Sequence, residues 1–96
     1  VKMYRVKIYQ TNARWKYSDW NYAITHGFNK EDYELVFDRY VYDDVTLDSI
    51  YLALNERHPD DMRSPSIGDV FVLYKTTPQV YYVNRLGYER IDGRWL

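Results

Sequence analysis

The sequence predicts an α+β fold: a mostly antiparallel sheet of about four to five strands, one main amphipathic helix over 46–57 and one short helix over about 18–26. Three observations predict it. Short runs of alternating or β-branched and aromatic residues recur at the start, in the middle and through the last third of the chain. One stretch instead repeats its apolar residues with the helical period. The chain has 96 residues and no cysteine, so a single domain spanning 1–96 must build its core by packing alone.

The elements follow in order. "YRVKIY" (4–9) puts Tyr4, Val6 and Ile8 on one side and Arg5, Lys7 and Tyr9 on the other, the pattern of a half-buried strand. After the polar "QTNAR", Ser18 is the expected cap of a short helix over "DWNYAITH". Gly27 supplies the left-handed closing position, and the buried face is expected to carry Trp20, Ala23 and Ile24. "YELVFDRYVY" (33–42) reads as a strand with a bulge or bend near Asp38. Thr46 opens the main helix, in which Leu47, Ile50, Tyr51 and Leu54 fall at i, i+3, i+4 and i+7; Asp48 sits in its first turn and Pro59 stops it. "DVFVLYK" (69–75) is a strand and "TTPQ" a turn in which Pro78 breaks the pairing. "VYYVN" (80–84) is the returning arm of the hairpin, and "GYERI" (87–91) adds a strand after a turn near Leu86 and Gly87.

Composition narrows function. Apolar residues make up 46% of the chain, which fits a globular core, and no apolar run reaches the ~20 residues that span a bilayer. The opening "VKMYRVKIYQ" has no signal-peptide core, so a cytoplasmic location in a bacterial host cell is expected. The net charge of −1 conceals a division. Residues 1–30 carry six Lys/Arg against one Asp, net +5; residues 31–61 carry ten Asp/Glu against two Arg, net −8; residues 62–96 are net +2. The acidic third fits either a partner with a basic surface or a solvated face. Twelve tyrosines fit either a binding surface or half-buried strand filling.

No arrangement announces catalysis, and neither metal nor cofactor is expected. His58, Asp60, Asp61 and Arg63 crowd six positions, but no second histidine at i+4 completes a metal shell. A helix-end cation and a turn former explain the same letters. Asp43 and Asp44 precede the main helix, where carboxylates suit the positive end of its dipole. Ser64 and Ser66 lie in no nucleophile elbow, and the four glycines form no phosphate cradle. Arg5, Lys7, Arg14 and Lys16 interleave with Tyr9, Trp15 and Tyr17 as in nucleic-acid binders. The chain is not basic overall and carries no binding-module motif, so nucleic acid ranks behind a protein partner.

Four segments, "YELVF" (33–37), "TLDSIYLALNERHPDD" (46–61), "RSPSIGDVFVL" (63–73) and "YYVNRLGYERI" (81–91), follow the order and spacing of one family. With the opening "YRVKIYQ" and the "HGF" at 26–28, nearly the whole chain resembles the YodL-like domain family. Pro65 and the longer "YKTTPQV" turn depart from its pattern, in a loop and a hairpin. The resemblance implies a small accessory module of conjugative elements, plasmids and phages of Gram-positive bacteria, with no catalytic residues to carry over. It further implies a non-enzymatic protein that perturbs a host protein. One candidate target is an RNA-guided nuclease of type II, as in anti-CRISPR counter-defence, and another is the actin-like cell-shape machinery. A nuclease holds its guide and target in a positive channel that an acidic, tyrosine-bearing surface would fit. The expected contact residues are Asp43, Asp44, Asp48, Glu56, Asp60 and Asp61, with Tyr40 and Tyr42 behind them.

Overall fold

The computed structural model describes residues 2–95. Five antiparallel strands form one sheet: β1 (Met3–Thr11), β2 (Tyr33–Tyr42), β3 (Val70–Tyr74), β4 (Pro78–Val83) and β5 (Tyr88–Arg90), in the order β2-β1-β3-β4-β5. Three helices accompany it: α1 (Trp20–Thr25), α2 (Leu47–Glu56) and α3 (Asp92–Trp95), with one 3-10 turn at Lys30–Asp32.

Each sheet face owes its cover to strand alternation. Tyr4, Val6 and Ile8 of β1, Phe71 and Leu73 of β3 and Val83 of β4 turn to one face, where Ile50 and Leu54 of α2 pack on them. Leu47 and Tyr51 complete the predicted helix stripe. The other face carries Val70, Val72, Val80 and Tyr82, sealed by Trp15, Ala23, Ile91 and Trp95 with Trp20 and Phe28 against them. β3 is therefore apolar on both sides, from Val70 to Leu73, as befits the middle strand of a sheet covered twice.

The helix ends agree with the letters. The Thr46 side chain accepts from the Ser49 N–H while Ser49 Oγ accepts from the Thr46 N–H at 3.0 Å, a reciprocal capping box. Gly27 ends α1 with φ +83°.

Four details differ from the sequence expectation. Ser18 does not cap α1; the N-cap is Asp19, which makes no cap bond and accepts instead from the Arg85 N–H at 2.6 Å, while Asn84 Oδ1 takes the Trp20 N–H at 2.8 Å. Ile24 is 38% exposed, because α1 turns its Ala23 side to the sheet and the next residue lies about 100° further round the helix. The bulge expected near Asp38 is present, by contrast: the register slips between Ile8 and Tyr9, opposite Val36, two residues before Asp38. Pro78 does not break the pairing: it begins β4 opposite Tyr74, a first-residue position where its missing N–H is tolerated. α3 is the one helix the sequence did not announce, since its four residues are too few to show a period.

Gly68 is constrained from both sides. Its φ is +97°, and a methyl group there would lie 3.2 Å from the Tyr17 backbone nitrogen and 3.3 Å from the Trp15 carbonyl oxygen. Gly68→Ala is expected to cost about 2 kcal/mol or more, whereas Gly27→Ala, with a similar φ but open space, costs about 1 kcal/mol. Equal urea midpoints for the two variants would contradict this account.

Candidate functional site: an acidic cleft at the end of the β1–β2 pair

The "HPDDMRSPSIGD" passage divides into inward and outward residues. Asp69 is fully buried, and its carboxylate accepts from Ser66 N–H (3.0 Å), Gln10 Nε2 (3.1 Å) and Arg63 Nη1 (3.2 Å). Burial pushes its carboxyl up from the usual carboxylate value, while these donors and the guanidinium pull the other way. Arg63 also donates to the Thr11 carbonyl at 2.7 Å and to Ser66 Oγ at 3.1 Å. Gln10 completes the ring through Nε2 to the Arg63 carbonyl at 2.9 Å. The "RSPSIGD" stretch is thus a staple that fastens the loop before β3 to the end of β1.

His58 takes no part in it. Its Nδ1 lies 2.9 Å from the Pro59 carbonyl oxygen, which can only accept, so that nitrogen carries the proton. Among the described residues no group of three His, Asp or Glu converges as a metal ion requires.

Asp60 and Asp61 point outward, and the staple gives them company. Thr11 is the node: its Oγ1 donates to the Asp32 carbonyl at 2.6 Å while its own carbonyl holds Arg63. This draws the 3-10 turn and the 60–63 loop to the two sides of one cleft of about 1000 Å³. Its walls carry Glu31, Asp32, Glu34, Asp60 and Asp61 against Lys16 and Arg63. Arg63 is committed to Asp69, and the Lys16 ammonium sits 3.3 Å from Asn12 Oδ1 and over the Tyr17 ring at 4.9 Å. The ion pairs among the described residues are Arg5–Asp38, Arg63–Asp69 and Arg90–Asp92, so none of the five cleft carboxylates is paired. Their summed negative charge on one side of the molecule attracts a cationic surface.

The structure separates the other expected contact residues. Asp43 and Asp44 lie exposed in the turn between β2 and α2. Asp48, in the first turn of α2, accepts from the Tyr88 hydroxyl at 2.7 Å, and that hydroxyl's proton is held more tightly by burial and by the nearby charge. Glu56 is exposed on the last turn of α2. Tyr40 and Tyr42 pair in register with Arg5 and Met3, on the sheet face away from α2. Only Asp60 and Asp61 of the eight reach the cleft, and Glu31, Asp32 and Glu34 join them there. Those three were visible only as part of the net −8 segment, since no spacing rule relates residues 31–34 to residues 60–63. The tyrosines divide too: Tyr4 and Tyr82 are buried, Tyr17, Tyr22, Tyr40 and Tyr42 are exposed, and six are half-buried.

The family model of the YodL-like domain matches residues 1–93. No curated protein and no solved structure matches the chain.

Proposed function

The chain belongs to the YodL-like domain family, and from that premise we propose that it is a non-enzymatic inhibitor module, encoded by a mobile genetic element or phage, that works by protein contact. The carboxylates at the end of the β1–β2 pair enter a cationic groove of a host protein. The target class that fits best is an RNA-guided nuclease of type II before its guide is loaded, because such a groove is positive and then unfilled. The observation that carries the reading is the set of five carboxylates around one cleft that have no ion-pair partner among the described residues. Attraction between opposite charges speeds the encounter, and the rigid Thr11–Arg63–Asp69 staple beneath keeps the carboxylates in place at little entropic cost.

The test is retention of the purified protein by a panel of type II nucleases, with and without guide RNA, at two salt concentrations. The expected result is salt-sensitive retention by the guide-free form, reduced by guide. Retention by no member overturns the nuclease reading. Rounding or lysis of cells that lack any CRISPR or restriction system would then direct attention to the actin-like cell-shape machinery.

A further inference from the structure

The helices on the face away from α2 cover only part of it. Trp15, Ala23, Ile91 and Trp95 lie over Val70, Val72, Val80 and Tyr82, leaving the first half of β1 and the second half of β2 uncovered. Nine large apolar or aromatic residues are exposed among the described residues, and four of them, Met3 (49%), Leu35 (44%), Tyr40 (64%) and Tyr42 (57%), stand on this one face. Strand pairing sets Tyr40, Arg5 and Tyr74 in one row across β2, β1 and β3. The next row holds Asp38 and Lys7, and the Lys7 ammonium lies 5.5 Å from the centre of the Tyr74 ring. Arg5 is fixed by two bonds to Asp38, Nε to Oδ1 and Nη2 to Oδ2, each 2.7 Å. On the β2–β1–β3 part of this face Asp38 is the one acidic residue, and it is spent on Arg5.

We infer that this open face binds single-stranded nucleic acid, with Tyr40 and Tyr42 as stacking rings and Arg5 and Lys7 beside them for the phosphates. A flat sheet with exposed aromatic rings interleaved with cations suits unpaired bases, because every base offers a π-face and every linkage a negative charge. Charge selects this occupant over a second copy of the chain. A second copy of this face would bring no free carboxylate to the Lys7 ammonium, because its Asp38 is held by Arg5, whereas a polyanion supplies negative charge at every linkage. The two cations of the expected basic set that contribute are those on β1; Arg14 and Lys16 lie in the loop after it, and Trp15 is buried. The inference uses none of the cleft residues and stands apart from the proposed protein contact.

Fluorescence anisotropy with labelled oligo-dT and oligo-U of about twelve nucleotides tests it, within the usual site sizes of sheet platforms. The expected result is saturable binding that weakens with salt. Tyr40→Ala and Tyr42→Ala each weaken it about tenfold, and Lys7→Gln lowers the salt slope by about 0.7. The variant Glu34→Gln/Asp60→Asn/Asp61→Asn binds at least as well as the parent. Circular dichroism confirms that each variant is folded. Absence of binding at low salt, or full binding by a folded Tyr40→Ala/Tyr42→Ala variant, overturns the inference. So does a dimer in sedimentation that the same double variant dissociates without any oligonucleotide bound, which assigns the face to a second copy.

Discussion

Arg63→Ala lowers the unfolding free energy by about 3–5 kcal/mol, the usual cost of removing one partner from a buried ion pair. That is a large share of the roughly 5–15 kcal/mol that holds a domain folded. Asp69 has no other cation within ion-pair distance among the described residues, and the Thr11 carbonyl and Ser66 hydroxyl lose a donor at the same time. Arg63→Lys returns the charge without the fork that reaches Thr11 and Asp69 together, so it recovers only part of the loss. The pH dependence carries the sign of a raised carboxyl. Burial already penalises the Asp69 carboxylate, and without Arg63 the penalty grows. The defect is therefore greatest near neutrality and shrinks as pH falls through the raised Asp69 value and the proton neutralises the side chain. Urea midpoints of the parent and both variants, taken near neutral and in mild acid, measure this. A parent-like midpoint for Arg63→Ala would mean that the staple does not hold the loop.

The second large effect concerns Tyr82. It is fully buried on β4, with its ring 5.2 Å from Trp20 and 5.9 Å from Phe28, and its hydroxyl donates to the Ser18 carbonyl at 2.6 Å. Tyr82→Ala leaves a cavity under α1 and is expected to cost about 3–5 kcal/mol. Tyr82→Phe keeps the ring and orphans one carbonyl, at about 1–2 kcal/mol. The pair separates packing from the bond. Similar losses for both would show that the hydroxyl, and not the ring, fastens the 12–18 loop.

These two side chains also mark the limits of reading the sequence. Local signals were legible. Thr46 and Ser49 form the cap that their spacing suggests, and the strand expected over 33–42 has those bounds. Leu47, Ile50, Tyr51 and Leu54 face the sheet as their period requires. Long-range partners were not legible. Arg63 and Asp69 are only six residues apart, yet their common anchor Gln10 is more than fifty residues away, and no pattern in "RSPSIGD" points to it. The cleft was hidden for the same reason: Thr11 joins two acidic segments whose kinship in the sequence is only their charge. Leu35 shows the cost of one extra residue in a strand. The slip opposite Val36 moves it out of the α2 face and leaves it exposed opposite Tyr9. Ile24 failed as a core residue because α1 turns its Ala23 side to the sheet, and the next position lies about 100° further round the helix, toward solvent.

The cleft carboxylates are proposed to make the contact with a cationic partner. The most direct measurement of that contact compares two charge reversals, Glu34→Lys/Asp60→Lys/Asp61→Lys at the cleft and Asp43→Lys/Asp44→Lys in the exposed turn before α2, in a titration of guide-free type II nuclease. Each variant is first shown to be folded. The cleft variant is expected to lose binding by a factor of about 100 or more, as close charge pairs at interfaces do when reversed, while the turn variant keeps most of it. Parent-like binding by a folded cleft variant would overturn this assignment, and selective loss in the turn variant would move the contact to the far end of β2.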